Sequence, residues 1–147
     1  MIRAEGGVRV ERPAEEASDF IADLSNEPAF NPAASDIVKQ TDGPIGVGTV
    51  YTEHVKPLGR FETRIDVYER PTLLGFDATN PRADVRVRFH FEPDGGATTI
   101  RAEIEFEPKG ALRIATPLLR PMIMREYERK RAPKLKQAIE SQPAGGT

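Results

Sequence analysis

The spacing of apolar residues changes twice along the chain, once near Ser35 and again near Leu118. Before the first change, "IRAEGGVRVERP" alternates weakly, with Val8 and Val10 on one side. It predicts a strand in which Gly6-Gly7 makes a bulge or bend. Pro13 then suits a first helical position, and Glu15 and Glu16 favour the positive end of a helix. Ala17, Phe20, Ile21 and Leu24 recur at helical spacing until Asn26 and Pro28 break it, and "NEPAF" leaves room for one more turn. From Ser35 the period falls to two. "SDIVKQT", "TVYTEHVKP", "RFETRIDVYER", "TLLGFDATN", "ADVRVRFHFEP" and "ATTIRAEIEFEP" read as strands, with "DGPIGVG", Pro57-Leu58-Gly59 and "DGG" as connections.

The last two strands alternate most clearly. Val85, Val87, Phe89 and Phe91 interleave with Arg86, Arg88, His90 and Glu92, and Ile100, Ala102, Ile104 and Phe106 interleave with charged residues. One apolar and one wet face per strand predicts an antiparallel meander covered on one side only. The cover is the final segment, where Ile123, Met124, Tyr127, Leu135, Ala138 and Ile139 fall on one stripe of a single long helix. That helix is predicted to start at Pro121 and to kink at Pro133.

Strand geometry also decides the reading of Glu53-His54, the one Glu–His neighbour pair in a chain with two histidines. Adjacent strand residues project to opposite faces, so the two cannot serve one substrate together. A hairpin through Pro57-Leu58-Gly59 would set Val55 opposite Phe61, Glu53 opposite Thr63 and Tyr51 opposite Ile65. Tyr51, Val55, Phe61, Ile65 and Val67 then face the helix, and Glu53 and Thr63 point inward with them. His54 points out, as does His90 between Phe89 and Phe91. An inward carboxylate among apolar neighbours is costly unless hydrogen-bonded or paired, and burial would raise its pKa into the range of a general acid. A salt bridge to an arginine of the long helix, or a place in the wet mouth of the cavity, is the plainer account.

Composition narrows the chemistry further. The chain has 147 residues, enough for one domain over 1–141 with a frayed tail at 142–147. It carries no cysteine, which removes disulfides, thiolate nucleophiles and cysteine metal sites together. No His-x-x-x-His spacing and no Gly-x-Ser-x-Gly motif occurs, so neither a metal nor a serine nucleophile is expected, and no cofactor is implied. "GPIGVG" is followed by a strand, where a phosphate loop needs a helix N-terminus, and reads as a turn. A net charge of −2 speaks against bulk attraction to nucleic acid. The start of the chain has no apolar signal-peptide core and no apolar run reaches membrane-spanning length, which makes the cytoplasm the default expectation. Between Lys109 and Lys136 stand nine basic residues and two acidic ones. Arg120, Arg125, Arg129, Lys130, Arg131, Lys134 and Lys136 there read first as a solvated helix face and second as an anionic-membrane contact.

Strand, two short helices, about six strands and a long terminal helix describe an α+β helix-grip architecture, a curved antiparallel sheet of about seven strands wrapped round one helix. The chain resembles the START-like (SRPBCC) superfamily, and within it the polyketide cyclase/dehydrase group. The resemblance rests on "VERPAEEASDFIADLSNEPAFNPAASDIVKQTDGPIGVGTVY", on "VYERPTLLGF", on "GGATTIRAEIEFEP" and on "KLKQAIES", and it covers nearly the whole chain. It implies a cavity between sheet and helix that takes a hydrophobic small molecule. The expected wall is Phe30, Tyr51, Glu53, Val55, Phe61, Thr63, Ile65, Phe76, Val87, Phe89, Ile104, Ile123 and Tyr127. Phe30 stands where family members often carry an aromatic at the cavity entrance, and Lys56-Pro57-Leu58-Gly59 occupies the loop that gates the family's plant hormone receptors. Three functions fit: a carrier or sensor of a lipid, polyketide or isoprenoid-like molecule; a polyketide aromatase/cyclase using Glu53 with Tyr51 or Tyr127 for proton transfer; and a lipid or quinone carrier that docks on membranes. The sequence leaves the oligomeric state open.

Overall fold

The computed structural model describes residues 1–126 and 130–143. Strand β1 (Ile2–Val10) leads into helix α1 (Ala14–Ala22) and a 3-10 turn (Leu24–Ala29). Six strands follow: β2 (Ala34–Lys39), β3 (Val50–Val55), β4 (Gly59–Glu69), β5 (Leu73–Thr79), β6 (Ala83–Asp94) and β7 (Ala97–Pro108). A short 3-10 turn (Gly110–Arg113) and helices α2 (Thr116–Arg125) and α3 (Arg131–Glu140) end the order. The seven strands form one antiparallel sheet in the order β1-β7-β6-β5-β4-β3-β2, a meander whose last strand pairs with the first.

The one-sided pattern read from the sequence is the one that packs. Phe89 and Phe91 of β6 and Ile100, Ile104 and Phe106 of β7 are buried, while Arg86 and Arg101 are exposed on the other face. Helix α1 contributes Ala14, Ala17, Phe20 and Ile21, and α3 contributes Leu135, Ala138 and Ile139. Each large apolar side chain buried in this way stabilises the fold by about 1.5–3 kcal/mol. These side chains close one end of the core together with Tyr51, Ile65 and Leu74. The other end is looser: Ile2, Phe61, Ala83 and Phe106 are flanked there by partly buried Val55, Leu58, Leu119 and Ile123.

Four details depart from the sequence reading. The β1–β7 register runs unbroken through Gly6 and Gly7, so these glycines make no bulge; both lie on a cavity wall instead. The β3–β4 hairpin pairs Val55 with Gly59, Glu53 with Phe61 and Tyr51 with Thr63. That is a slip of two residues from the expected pairing, because Gly59, at φ +99°, already belongs to the returning strand. A slip of two preserves the faces where a slip of one would invert them. One residue is turned over: the β4–β5 register shifts between Ile65 and Val67, so Val67, expected to face the helix, lies on the outer face beside Gly75, and Tyr68 points in to donate to Asp19. The terminal helix starts at Thr116 rather than Pro121, with Pro117 in its first turn and Pro121 inside it. Helix α3 is described from Arg131, with Pro133 near its start, and the kink expected at that proline would act on the Arg129 carbonyl, which lies outside the described residues.

On the outer face Gly75 is required by a close approach. A Cβ there would stand 2.5 Å from Arg88 Nη1 and 2.6 Å from Val67 Cγ1. Its absence lets Arg88 of β6 cross β5 to Asp66 of β4, Nη2 to Oδ2 2.6 Å.

Candidate functional site

A cavity of about 500 Å³ lies between the inner face of the sheet and helices α2 and α3. Its wall is mostly apolar. Of the residues expected there, Phe30, Val55, Phe61, Phe76, Val87, Phe89, Ile104 and Ile123 line it, with Glu53 and Thr63 among them. Lys56, Pro57 and Leu58 of the β3–β4 loop stand at the rim, as do Met122 and Lys134 of the two helices.

Tyr51 and Ile65 do not line the cavity. Both are fully buried in the closed end of the core, and the Tyr51 hydroxyl donates to the Ala22 carbonyl at 3.1 Å. An inward strand position is necessary for facing the cavity but not sufficient, because α1 covers the inner face at that end. Tyr127 and Arg129 lie outside the described residues. His54 sits on the face of β3 opposite Glu53, and His90 Nε2 lies 3.2 Å from Glu103 Oε1 on the outer face of the sheet. Among the described residues no group of three His, Cys, Asp or Glu side chains is placed to hold a metal ion.

The polar part of the cavity is concentrated around Glu53. Alternation on β3 turns its side chain inward, where it is only 6% exposed. Thr63, the next inward residue of β4 beyond its partner Phe61, donates from Oγ1 to Glu53 Oε1 at 3.1 Å. The other neighbour is a second acid, Glu27, from the 3-10 turn after α1. Asn31 Nδ2 donates to Glu27 Oε2 at 3.0 Å. One oxygen of each carboxyl therefore has a donor, while Glu53 Oε2 and Glu27 Oε1 are buried with none. As two carboxylates they would be acceptor facing acceptor. A proton held between them converts the contact into a hydrogen bond.

The electrostatics agree. Burial raises the Glu53 pKa, and the neighbouring Glu27 raises it further through the shared proton and through repulsion, to about 9. Donation from Thr63 and the positive charge of Arg131 pull it down without prevailing. Arg131, at the start of α3, also lines the cavity and lies 3.6 Å from Glu126. Glu53 is thus neutral at neutral pH, an acid held ready in an apolar chamber.

Sequence reasoning located Glu53 and Thr63 by strand period. It missed Glu27, Asn31 and Glu126, because irregular turns and helix ends carry no period from which a facing direction can be read. The plainer account of Glu53 named an arginine partner; the structure puts a glutamate closer to it in effect and leaves Arg131 as a secondary influence.

The basic C-terminal segment divides differently than expected. Ile114, Leu118 and Met122 are 85%, 82% and 59% exposed and recur every fourth residue, with Arg113, Arg120 and Arg125 exposed around them. Leu119 and Ile123, on the other side of α2, face the cavity. Among the described residues no helix is long and apolar enough to cross a membrane.

Comparison with known proteins fits this geometry. The model of the family described as polyketide cyclase / dehydrase and lipid transport matches residues 1–140. Among curated proteins none matches by sequence. Solved structures share the fold at low identity. The Zhui aromatase/cyclase from a Streptomyces species superposes with a TM-score of 0.72 at 17% identity, covering 99% of this chain and 98% of that one. A protein from Thermus thermophilus, TTHA0849, gives 0.73 at 14% identity over 93% and 96%. A START superfamily protein from Mycobacterium smegmatis gives 0.68 at 16% identity over 94% of both. With its curved sheet packed against C-terminal helix over an apolar cavity, the chain belongs to the family described as polyketide cyclase / dehydrase and lipid transport.

Proposed function

We propose that the protein binds one hydrophobic small molecule, of lipid, polyketide or isoprenoid kind, between the sheet and the C-terminal helices, as a carrier or sensor. The observation that carries this reading is the cavity itself. About 500 Å³ of space is walled by Phe61, Phe76, Phe89, Ile104 and Phe106, with the buried polar groups gathered at Glu53. That volume and lining match a pocket for a ligand of drug size. Diphenylhexatriene, a neutral hydrocarbon whose fluorescence rises in apolar surroundings, tests it. Saturable uptake of one equivalent is expected, and Ala102→Phe, which fills the cavity from β7, should abolish it while the circular dichroism spectrum is retained. Uptake unchanged by that variant, or absent from the parent protein, would refute the reading.

A second reading, catalysis of polyketide cyclisation, is favoured by one observation: the Glu53 carboxyl is buried in the cavity wall beside Glu27, which pushes its pKa up to about 9 and would let it deliver a proton to a carbonyl or leaving oxygen there. The Tyr51 hydroxyl donates to the Ala22 carbonyl and Tyr127 lies outside the described residues; the acid beside Glu53 that could share its proton is Glu27. Turnover of a poly-β-ketone that survives Glu53→Gln would exclude it.

Docking of a carrier on anionic membranes is favoured by the exposed Ile114–Leu118–Met122 stripe. Between Lys109 and Arg125 the chain has four basic residues and no acidic one. Co-sedimentation with phosphatidylserine vesicles should be lost in Leu118→Glu; binding indifferent to that change would rule the stripe out.

A further inference from the structure

We infer that the Glu27–Glu53 pair selects a ligand whose polar end is a protonated amine, inserted between the two carboxyl groups with its apolar body in the cavity. The inference rests on the binding reading above and specifies its ligand class.

Each element packed against this corner contributes a charged group. Glu53 comes from β3, Glu27 from the 3-10 turn, Glu126 from the end of α2 and Arg131 from the start of α3; Lys56 and Lys134 stand exposed at the rim. Thr63 and Asn31 fill one oxygen of each carboxyl, and these donors hold the two side chains in place. The remaining oxygens, Glu53 Oε2 and Glu27 Oε1, have no donor besides a shared proton. A group entering between them must therefore donate in two directions, and a primary ammonium has three N–H donors.

Charge discriminates among head groups more sharply than hydrogen bonding does. Glu126 and Arg131 carry opposite charges 3.6 Å apart, so with its shared proton the pair leaves this corner one net negative charge. When an ammonium enters, that proton leaves to solvent and both carboxyls ionise, so the corner exchanges one positive charge for another and its total is unchanged. A hydroxyl head donates once and leaves the anion in place. A carboxylate or phosphate head adds a second negative charge beside the first and is disfavoured. A lone ammonium in a hydrocarbon chamber would be unstable; between two carboxylates it is paired on both sides.

The test is displacement of diphenylhexatriene from the intact protein at neutral pH by decylamine, decanol and decanoate, three heads on one tail. Decylamine is expected to displace the probe at a concentration about tenfold or more below decanol, with decanoate weakest. In Glu27→Gln/Glu53→Gln the ratio of decylamine to decanol potency should fall to about one. A second measurement needs no variant: in weakly buffered solution decylamine should release up to one proton per ligand bound, and decanol none. Equal displacement by amine and alcohol, an advantage that persists in the double variant, or amine binding without proton release would each overturn the inference. If the probe enters but no head is preferred, only this inference falls; if it does not enter at all, the binding reading falls with it.

Discussion

Asp84 and Glu53 sit on strands of the same sheet, and their carboxyl groups are held in opposite ways. On the outer face, Asp84 of β6 accepts from Thr79 Oγ1 at 2.6 Å and from Lys109 Nζ at 2.9 Å, and these donors keep its pKa below the ordinary value. Asp77 of β5 is pushed up by partial burial, yet its bond from Arg86 Nε at 3.0 Å prevails and its pKa is also lowered. On the inner face Glu53 meets another acid, and its pKa rises to about 9. The outer carboxylates are ionised neighbours of cations in water, each contributing a little to stability. The inner one is a neutral acid whose place costs stability whenever the solution would deprotonate it. One side of the sheet is arranged for solubility and register, the other holds a proton.

The largest expected effect follows from that difference. Between pH 4.5 and about 9 the folded chain keeps the Glu53 proton that the unfolded chain has released. Its stabilising contribution is therefore complete below 4.5 and declines as pH rises toward 9, by up to about 1.4 kcal/mol per pH unit. From pH 5 to pH 8 the parent protein should lose about 4 kcal/mol by urea denaturation, and Glu53→Gln should remove most of that slope while retaining the Thr63 bond. Asp84 and Asp19, with lowered pKa values, act in another window: their contribution is present above 3.8 and is lost only as pH falls below it. Equal slopes in parent and variant would show that the inner acid is not held neutral.

That contrast was only half legible in the sequence. Alternation on β3, β4, β6 and β7 assigned Glu53 and Thr63 inward and His54 and His90 outward, because period two survives a register slip of two residues. The α+β meander, the helices after β1 and the apolar face of α3 followed from the same periodicities. Glu27 was not readable, since a 3-10 turn containing Pro28 has no repeat that reports a facing direction. Tyr51 shows the converse limit. Its inward position was correct, but whether an inward residue meets a cavity or a helix depends on where α1 lies across the sheet, a long-range fact.

A smaller effect probes the outer face where it is least wet. Arg88 and Asp66 are both about four-fifths buried, and Asp66 Oδ1 has no partner of its own. Arg88→Met should leave the Asp66 carboxylate uncompensated beside Gly75 and destabilise the fold by about 3 kcal/mol. Adding Asp66→Asn should recover about half of that, since no charge then remains to be stranded. A single variant as stable as the parent would mean that Asp66 finds another cation, and the comparison of the two faces would lose its best-buried outer example.

The smallest effect separates geometry from energy. Arg86 and Asp77 form a 3.0 Å bond, as well made as the Thr63–Glu53 contact, yet their side chains are 53% and 43% exposed. Water already solvates both groups in the unfolded chain, and holding two flexible side chains together costs entropy that the Coulomb attraction barely exceeds. A double-mutant cycle of Arg86→Ala and Asp77→Ala should therefore give a coupling of about 0.5 kcal/mol, falling by roughly half in 0.5 M salt. Coupling above about 2 kcal/mol, insensitive to salt, would place this pair with Arg88–Asp66 rather than with the solvated face, and would make burial rather than sheet side the variable that sorts the carboxylates.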